Sequence, residues 1–94
     1  MPEQHVTVRF YAAAADAAGT KEISLALEAD PVRLDDFLEM LPETVPQADD
    51  DAAPSLTRVC DYSSFLINAV QAKPNTSLVA PGDTVDILPP FAGG

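Results

Sequence analysis

Residues 81–94 read Pro81-Gly82-Asp83-Thr84-Val85-Asp86-Ile87-Leu88-Pro89-Pro90-Phe91-Ala92-Gly93-Gly94. The first three residues have the composition of a tight turn. The apolar residues Val85 and Ile87 then alternate with their neighbours, which predicts a strand with one buried face. This strand runs directly into a proline pair and a terminal Gly-Gly pair. The stretch therefore predicts a sheet whose last strand carries an extended tail, residues 89–94.

The N-terminal half supplies two more strands. Residues 5–11 alternate between apolar and polar side chains, which predicts a first strand. The small residues 12–18 suit a helical turn or a loop, and Ile23, Leu25 and Leu27 alternate again as a second strand. Two strands connected in this way suggest a hairpin.

A helix follows the second strand. Asp30 is a residue type favoured at the N-cap of a helix, and Pro31 is favoured at the first helical position. Apolar side chains then follow at helical spacing. Pro42 would end this helix. The apolar positions are Leu34, Phe37, Leu38 and Leu41.

The second half returns to strands. Residues 42–54 contain three prolines and the run Asp49-Asp50-Asp51, which predicts a flexible acidic loop. A short helix is expected at 55–61, a buried strand at 64–68, and a turn with a return strand at 69–75. The order is ββαβββ, an α+β class in which a mixed sheet of four to five strands packs on one main helix. The length of 94 residues predicts a single domain, 1–94.

Composition excludes several classes of function. The formal net charge of −10 opposes binding to nucleic acid, because phosphates would be repelled, and favours basic protein partners. No apolar run is long enough to span a bilayer. The N-terminus Met1-Pro2-Glu3-Gln4-His5 lacks the basic start and apolar core of a secretory signal, which predicts a cytoplasmic protein without a membrane partner.

The side chains offer little chemistry of their own. Cys60 is the only cysteine and His5 the only histidine, so a disulfide, a metal cluster or a Cys-His pair is not expected. Cys60 is interpreted as structural rather than nucleophilic. Asp35, Asp36 and Glu39 are expected to form a solvated helix surface. No tightly bound cofactor and no metal is predicted.

The tail, in contrast, carries a group that can react. A terminal carboxylate is ionised at pH 7 and does not accept a nucleophile until it is activated, for example as an acyl-adenylate formed with ATP by a partner enzyme. Gly93 and Gly94 lack Cβ atoms, so the backbone could enter a closed nucleotide site. Pro89 and Pro90 favour polyproline II, which rises about 3.1 Å per residue and would extend the tail by roughly 15 to 19 Å. Glycines at a terminus are also often only frayed ends.

A family resemblance connects these features. The C-terminal third resembles the MoaD/ThiS family of ubiquitin-like sulfur carriers, and the opening strand and helix are similar at residues 8–12 and at Gly19. The double proline favours MoaD, the small subunit of molybdopterin synthase, over ThiS, which usually lacks it. The chain departs from the family pattern at residues 13–16, where a basic residue is common, and at Phe91. The matching C-terminal residues are Ile67-Asn68, Leu78, Gly82-Asp83-Thr84-Val85 and Leu88 to Gly94.

The resemblance implies a β-grasp fold and a non-catalytic sulfur donor. A MoeB/ThiF-like adenylating enzyme would consume ATP to activate Gly94, which would become a thiocarboxylate. A MoaE-like large subunit would then receive the sulfur for a pterin precursor in molybdenum cofactor biosynthesis. Gly93 would provide clearance, and Pro89, Pro90 and Phe91 would guide the tail.

Several alternatives stay open from the residues. In one alternative, Leu88 and Phe91 form an apolar docking patch for a partner. In the other, Leu88 simply packs beneath a loop. In one alternative the activated Gly94 serves thiamine or cysteine biosynthesis, and in another it acylates a lysine as ubiquitin does. A third class is a β-grasp interaction module whose Gly-Gly end is inert.

Overall fold

The structure of the protein, a computed structural model, describes residues 5–27, 31–41, 44 and 56–90. The elements in chain order are β1 (His5–Phe10), α1 (Ala13–Ala18), β2 (Glu22–Ala26), β3 (Val32–Arg33), α2 (Leu34–Met40), α3 (Leu56–Asp61), β4 (Ser64–Ile67), β5 (Val70–Ala72), β6 (Leu78–Val79) and β7 (Thr84–Leu88). The predicted order ββαβββ is confirmed for the five strands of the main sheet and α2. Helices α1 and α3 lie where short helical segments were expected.

The main sheet has the strand order β2-β1-β7-β4-β5 and is mixed. Strands β1 and β2 are antiparallel neighbours, as the hairpin prediction required. Strand β7 pairs in parallel with β1 and antiparallel with β4. The last strand of the sequence is therefore the central strand of the sheet.

One face of the sheet and the helices enclose the core. The period-2 pattern seen in the sequence explains this directly, because alternate side chains of β1, β4 and β7 point to the same side. The fully buried large side chains are Val6, Val8, Leu34, Phe37, Leu41, Val59, Val79, Val85 and Ile87. None of the described helices has the length and apolar composition needed to cross a bilayer.

The start of α2 differs from the prediction. Pro31 is not a first helical residue, because Val32 and Arg33 form the short strand β3, which pairs with Leu78 and Val79 of β6. The helix begins at Leu34, whose backbone N–H donates to the Ser77 carbonyl at 2.9 Å. Backbone carbonyls of the segment before β6 thus accept hydrogen bonds from the N–H groups at the start of α2, where a capping side chain was expected. The proposed cap, Asp30, lies outside the described residues.

The predicted flexible loop, 42–54, also lies outside the described residues apart from Thr44. The backbone N–H and the side-chain hydroxyl of Thr44 both donate to the Leu41 carbonyl at 2.9 Å. These two hydrogen bonds satisfy the Leu41 carbonyl, which follows the last residue of α2.

The turn between β4 and β5 contains two residues with positive φ. Asn68 has φ 54° and Ala69 has φ 69°, and Ile67 pairs with Val70 across the two-residue loop. This is the backbone of a type I′ turn, which favours Asn-Gly because a Cβ opposes the left-handed conformation at the second position. Asn68 is anchored further, since its side-chain amide donates to Asp83 at 2.9 Å.

We expect Ala69→Gly to stabilise the protein by about 0.5 to 1 kcal/mol, because the removed left-handed strain exceeds the added entropy of the unfolded chain. The measurement is urea unfolding of both chains. Ala26→Gly is the matched control, since Ala26 is an exposed strand residue outside the positive-φ positions. It should destabilise by about 0.5 to 1 kcal/mol. Equal losses of unfolding free energy in the two variants would contradict the turn geometry.

Candidate functional site

The strand that leads to the tail is held on both sides. In β7, Val85 lies between Val8 of β1 and Ile67 of β4, and Ile87 lies between Phe10 and Phe65. The side chains of Val85 and Ile87 are completely buried. The Tyr11 backbone N–H adds a hydrogen bond of 3.3 Å to the Ile87 carbonyl at the end of the strand. The base of the tail therefore starts from one of the most firmly fixed strands of the fold.

The predicted tail residues divide at Pro90. Leu88 pairs with Ser64 of β4 and is half-buried, Pro89 is half-buried, and Pro90 is exposed. Phe91, Gly93 and Gly94 lie outside the described residues. The structure therefore brings Leu88, Pro89 and Pro90 to the end of the central strand, and the predicted roles of the last residues stay predictions.

The surface beside the tail base is the side of the sheet that faces away from the core. We call it the outer face. By strand register it carries the side chains of Thr7, Arg9, Glu22, Ser24, Ser64, Leu66, Gln71, Thr84, Asp86 and Leu88. Leu66 and Leu88 are diagonal neighbours across β4 and β7, and both are half-buried. Leu88 thus lies on the outer face, as alternation predicted, and its role in a docking patch stays a prediction.

An ion pair occupies the centre of the outer face. Asp86 is the buried charged residue of the described chain, at 5% exposure. Arg9, its neighbour on β1, donates from Nε to Oδ1 at 2.7 Å and from Nη2 to Oδ2 at 3.2 Å. The hydrogen bonds to Asp86, and then its negative charge, raise the pKa of Arg9 above its usual value, so the guanidinium stays charged. Sequence reasoning missed this pair, although both residues occupy outward positions of their strands.

Cys60 has the properties of a structural residue. It is half-buried on α3. Burial, and then the charge of Asp61, raise the pKa of the thiol to about 11. Because the thiolate is the reactive form, a thiol with so high a pKa is a poor nucleophile at neutral pH.

We expect iodoacetamide to alkylate Cys60 at pH 8 roughly two orders of magnitude more slowly in the folded protein than in urea. The raised pKa also means that this group stabilises the fold below its ordinary pKa and that the contribution is lost as pH rises from 9.0 toward about 11. Mass spectrometry of the single cysteine gives the rate. Equal rates in the folded and unfolded chains would restore a nucleophilic role.

The helix side carries a groove of about 610 Å³, but its residues do not form a catalytic centre. It lies between α2, α3 and the β4–β5 pair, and its lining includes Glu39, Cys60 and Lys73 but none of the tail residues that the structure describes, 88–90. Asp35, at its edge, forms an ion pair with Arg33 at 2.7 Å. In the part of the chain that the structure describes, no group of His, Cys, Asp and Glu side chains could hold a metal ion.

Comparison with known proteins places this geometry in a family. The model of the ThiS family matches residues 8–94, which is nearly the whole chain and includes the Gly-Gly pair. The chain belongs to the ThiS family. The resemblance to the MoaD/ThiS sulfur carriers is thereby confirmed. No curated protein sequence matches this ThiS-family chain.

Solved structures similar to the ThiS-family chain confirm the predicted β-grasp fold. SAMP1 from Haloferax volcanii has a TM-score of 0.70 at 24% identity, over 96% of this chain and 99% of that one. Small archaeal modifier protein 1 from Methanosarcina acetivorans has a TM-score of 0.63 at 27% identity, over 96% of each chain. A Pyrococcus furiosus protein assigned as molybdopterin converting factor, subunit 1, has a TM-score of 0.65 at 20% identity, over 93% of this chain and 98% of that one.

Proposed function

We propose that Gly94 of this ThiS-family protein is the sulfur-bearing residue of a molybdopterin synthase small subunit. The observation that carries the proposal is the family match over residues 8–94, which extends through the Gly-Gly pair. The central strand supports it, because β7 leads directly to Pro89 and Pro90 from the middle of the sheet. A tail that is handed to other active sites needs such a fixed base.

Activation and sulfur transfer proceed in two displacements. In the first, an oxygen of the Gly94 carboxylate attacks the α-phosphorus of ATP, and pyrophosphate leaves, so Gly94 becomes an acyl-adenylate. In the second, sulfur at the oxidation level of sulfide attacks the acyl carbon, and AMP leaves. The product is a thiocarboxylate. Its sulfur is anionic at neutral pH and softer than oxygen. Delivery is a separate step, in which the sulfur attacks an activated carbon of the pterin precursor and displaces an oxygen leaving group there. Water then cleaves the acyl–sulfur bond, which leaves the sulfur on the pterin and restores the Gly94 carboxylate.

The chemistry of these steps belongs to the partners. A MoeB/ThiF-like adenylating enzyme binds ATP and catalyses the first displacement, and a MoaE-like large subunit holds the pterin. The ThiS-family chain is a cosubstrate rather than an enzyme. This division agrees with the described side chains, where the single thiol is protonated and the carboxylates lie on the surface or in ion pairs. The site of action is the cytoplasm, where ATP and these partners are found.

The choice of molybdopterin rests on the proline pair and on the similarity to molybdopterin converting factor, subunit 1. A second candidate is conjugation to proteins through Gly94, favoured by the similarity to small archaeal modifier protein 1. Both functions, and sulfur delivery to thiamine or cysteine, share the adenylate of Gly94. They differ only in the nucleophile that follows.

The intact mass of the chain isolated from its native cells tests the proposal. Replacement of one oxygen by sulfur at Gly94, located by fragmentation, is the expected result. Lysine conjugates through Gly94 would support the modifier function instead, and unmodified chain alone would argue against both. A chain without Gly93 and Gly94, isolated in parallel, is the control and should carry neither modification.

A further inference from the structure

Arg9 is a cation held in a fixed orientation beside the tail base. Its Nε and Nη2 atoms donate to the two carboxylate oxygens of Asp86, which is almost completely buried. A guanidinium has five N–H groups, and within the described ranges Nη1 has no hydrogen-bond partner. The Arg9 side chain is 46% exposed. Asp86 therefore restricts Arg9 while leaving N–H groups available on the outer face.

The charge around Arg9 is predominantly of the opposite sign. The chain has 15 acidic and 5 basic residues, and on the outer face Arg9 lies between Asp86 and the exposed Glu22 of β2. An acidic surface steers basic partner surfaces toward it. A charged donor such as Arg9 inside that surface then fixes the register, because a displaced partner would place its acceptor oxygen against carboxylates.

We propose that Arg9, held by Asp86, is a specificity residue that binds an acceptor oxygen of the adenylating enzyme when that enzyme docks on the outer face. The inference rests on the proposed function, but only on the adenylation step. Adenylation is common to molybdopterin, thiamine, cysteine and conjugation pathways, so the inference holds whichever of them follows. Continuity with the tail supports it, because Asp86 precedes Leu88 by two positions on the strand that leads to the tail.

The test uses a pair of double variants with equal changes in charge. Arg9→Gln with Asp86→Asn removes the guanidinium without leaving a buried carboxylate unpaired. Arg33→Gln with Asp35→Asn is the matched control. Its ion pair has the same Nε to Oδ1 distance of 2.7 Å, and its arginine is similarly exposed, at 52%. It lies in the other, two-stranded sheet rather than on the outer face.

The measurement is ATP–pyrophosphate exchange catalysed by the MoeB/ThiF-like enzyme of the same cell, with the full-length chain as the varied substrate. We expect the Arg9/Asp86 variant to raise KM about tenfold or more while kcat changes little, since a charged hydrogen bond to the partner is lost. The Arg33/Asp35 variant should stay within about twofold of the unchanged chain. Urea unfolding of each variant shows that it is folded under the conditions of the exchange assay.

Three results would overturn the inference. If both double variants keep the KM of the unchanged chain, the Arg9–Asp86 pair is only structural. If both raise KM equally, the loss of any surface ion pair, rather than of Arg9 in particular, weakens docking. If the unchanged chain supports no exchange, the proposed function itself fails, and this inference fails with it. Asp86→Asn alone, which keeps Arg9 charged, should stay within about threefold, because its amide oxygen still accepts from Arg9.

Discussion

Removal of Gly93 and Gly94 is expected to abolish adenylation and sulfur transfer without changing the fold. The shortened chain still ends in a carboxylate, but on Ala92, whose Cβ opposes entry into a closed nucleotide site. The tail also becomes shorter by two residues, or roughly 6 to 7 Å of reach. Pyrophosphate exchange should fall to background, and native cells that contain only this variant should lose the thiocarboxylate.

Stability gives the internal check on this result. The two removed residues lie beyond Pro90, where the described part of the fold ends, and we expect the unfolding free energy to stay within about 0.5 kcal/mol. A chain without Pro2 and Glu3 is a length control at the other end and should remain active. An unaltered phenotype of native cells that contain only the chain without Gly93 and Gly94 would leave only the inert interaction module among the three classes of function.

Phe37→Ala is expected to destabilise the protein by about 3 to 5 kcal/mol, the range for a buried phenylalanine. Phe37 lies on α2 and is the largest side chain that is completely buried. The total unfolding free energy of a domain of this length is only about 5 to 14 kcal/mol. The variant would therefore lose a large part of its stability. Guanidinium unfolding at 25 °C measures the change.

Two further variants show whether the loss of stability comes from a cavity. Phe37→Leu leaves a smaller void and should cost roughly 1 kcal/mol, whereas Tyr62→Ala, at an exposed position, should cost no more than about 0.5 kcal/mol. At temperatures where the Phe37→Ala chain is folded, it should be adenylated normally, because the tail is unchanged. Equal effects of Phe37→Ala and Tyr62→Ala would mean that α2 does not pack as described.

The strands could be predicted from sequence because their signal is local. Val6, Val8 and Phe10 alternate with polar residues, as do Val85 and Ile87, and both patterns became strands with one buried face. The start of α2 could not be predicted in this way. Pro31 has a strong local preference for a first helical turn, but pairing of residues 32–33 with 78–79 is a contact over more than forty residues. That pairing overrides the local preference.

The same distinction applies to the candidate site. The tail could be proposed from its composition alone, and the family match supports that choice for Gly93 and Gly94. Arg9 and Asp86 are 77 positions apart, and each is ordinary in its own strand. Only the parallel pairing of β1 with β7 makes them neighbours. A sequence search that considered this pairing could have found them, since both fall at outward positions of the register.

The central position of β7 has a mechanical consequence for a protein that works by its tail. A partner that draws the tail into its active site pulls along the axis of β7. The hydrogen bonds to β1 and β4 run across that axis, so the bonds on both sides carry the load together, in shear. An edge strand pulled along its axis would be held by the bonds to one neighbour only. The body of the protein can therefore serve as a rigid handle during docking and withdrawal of the tail.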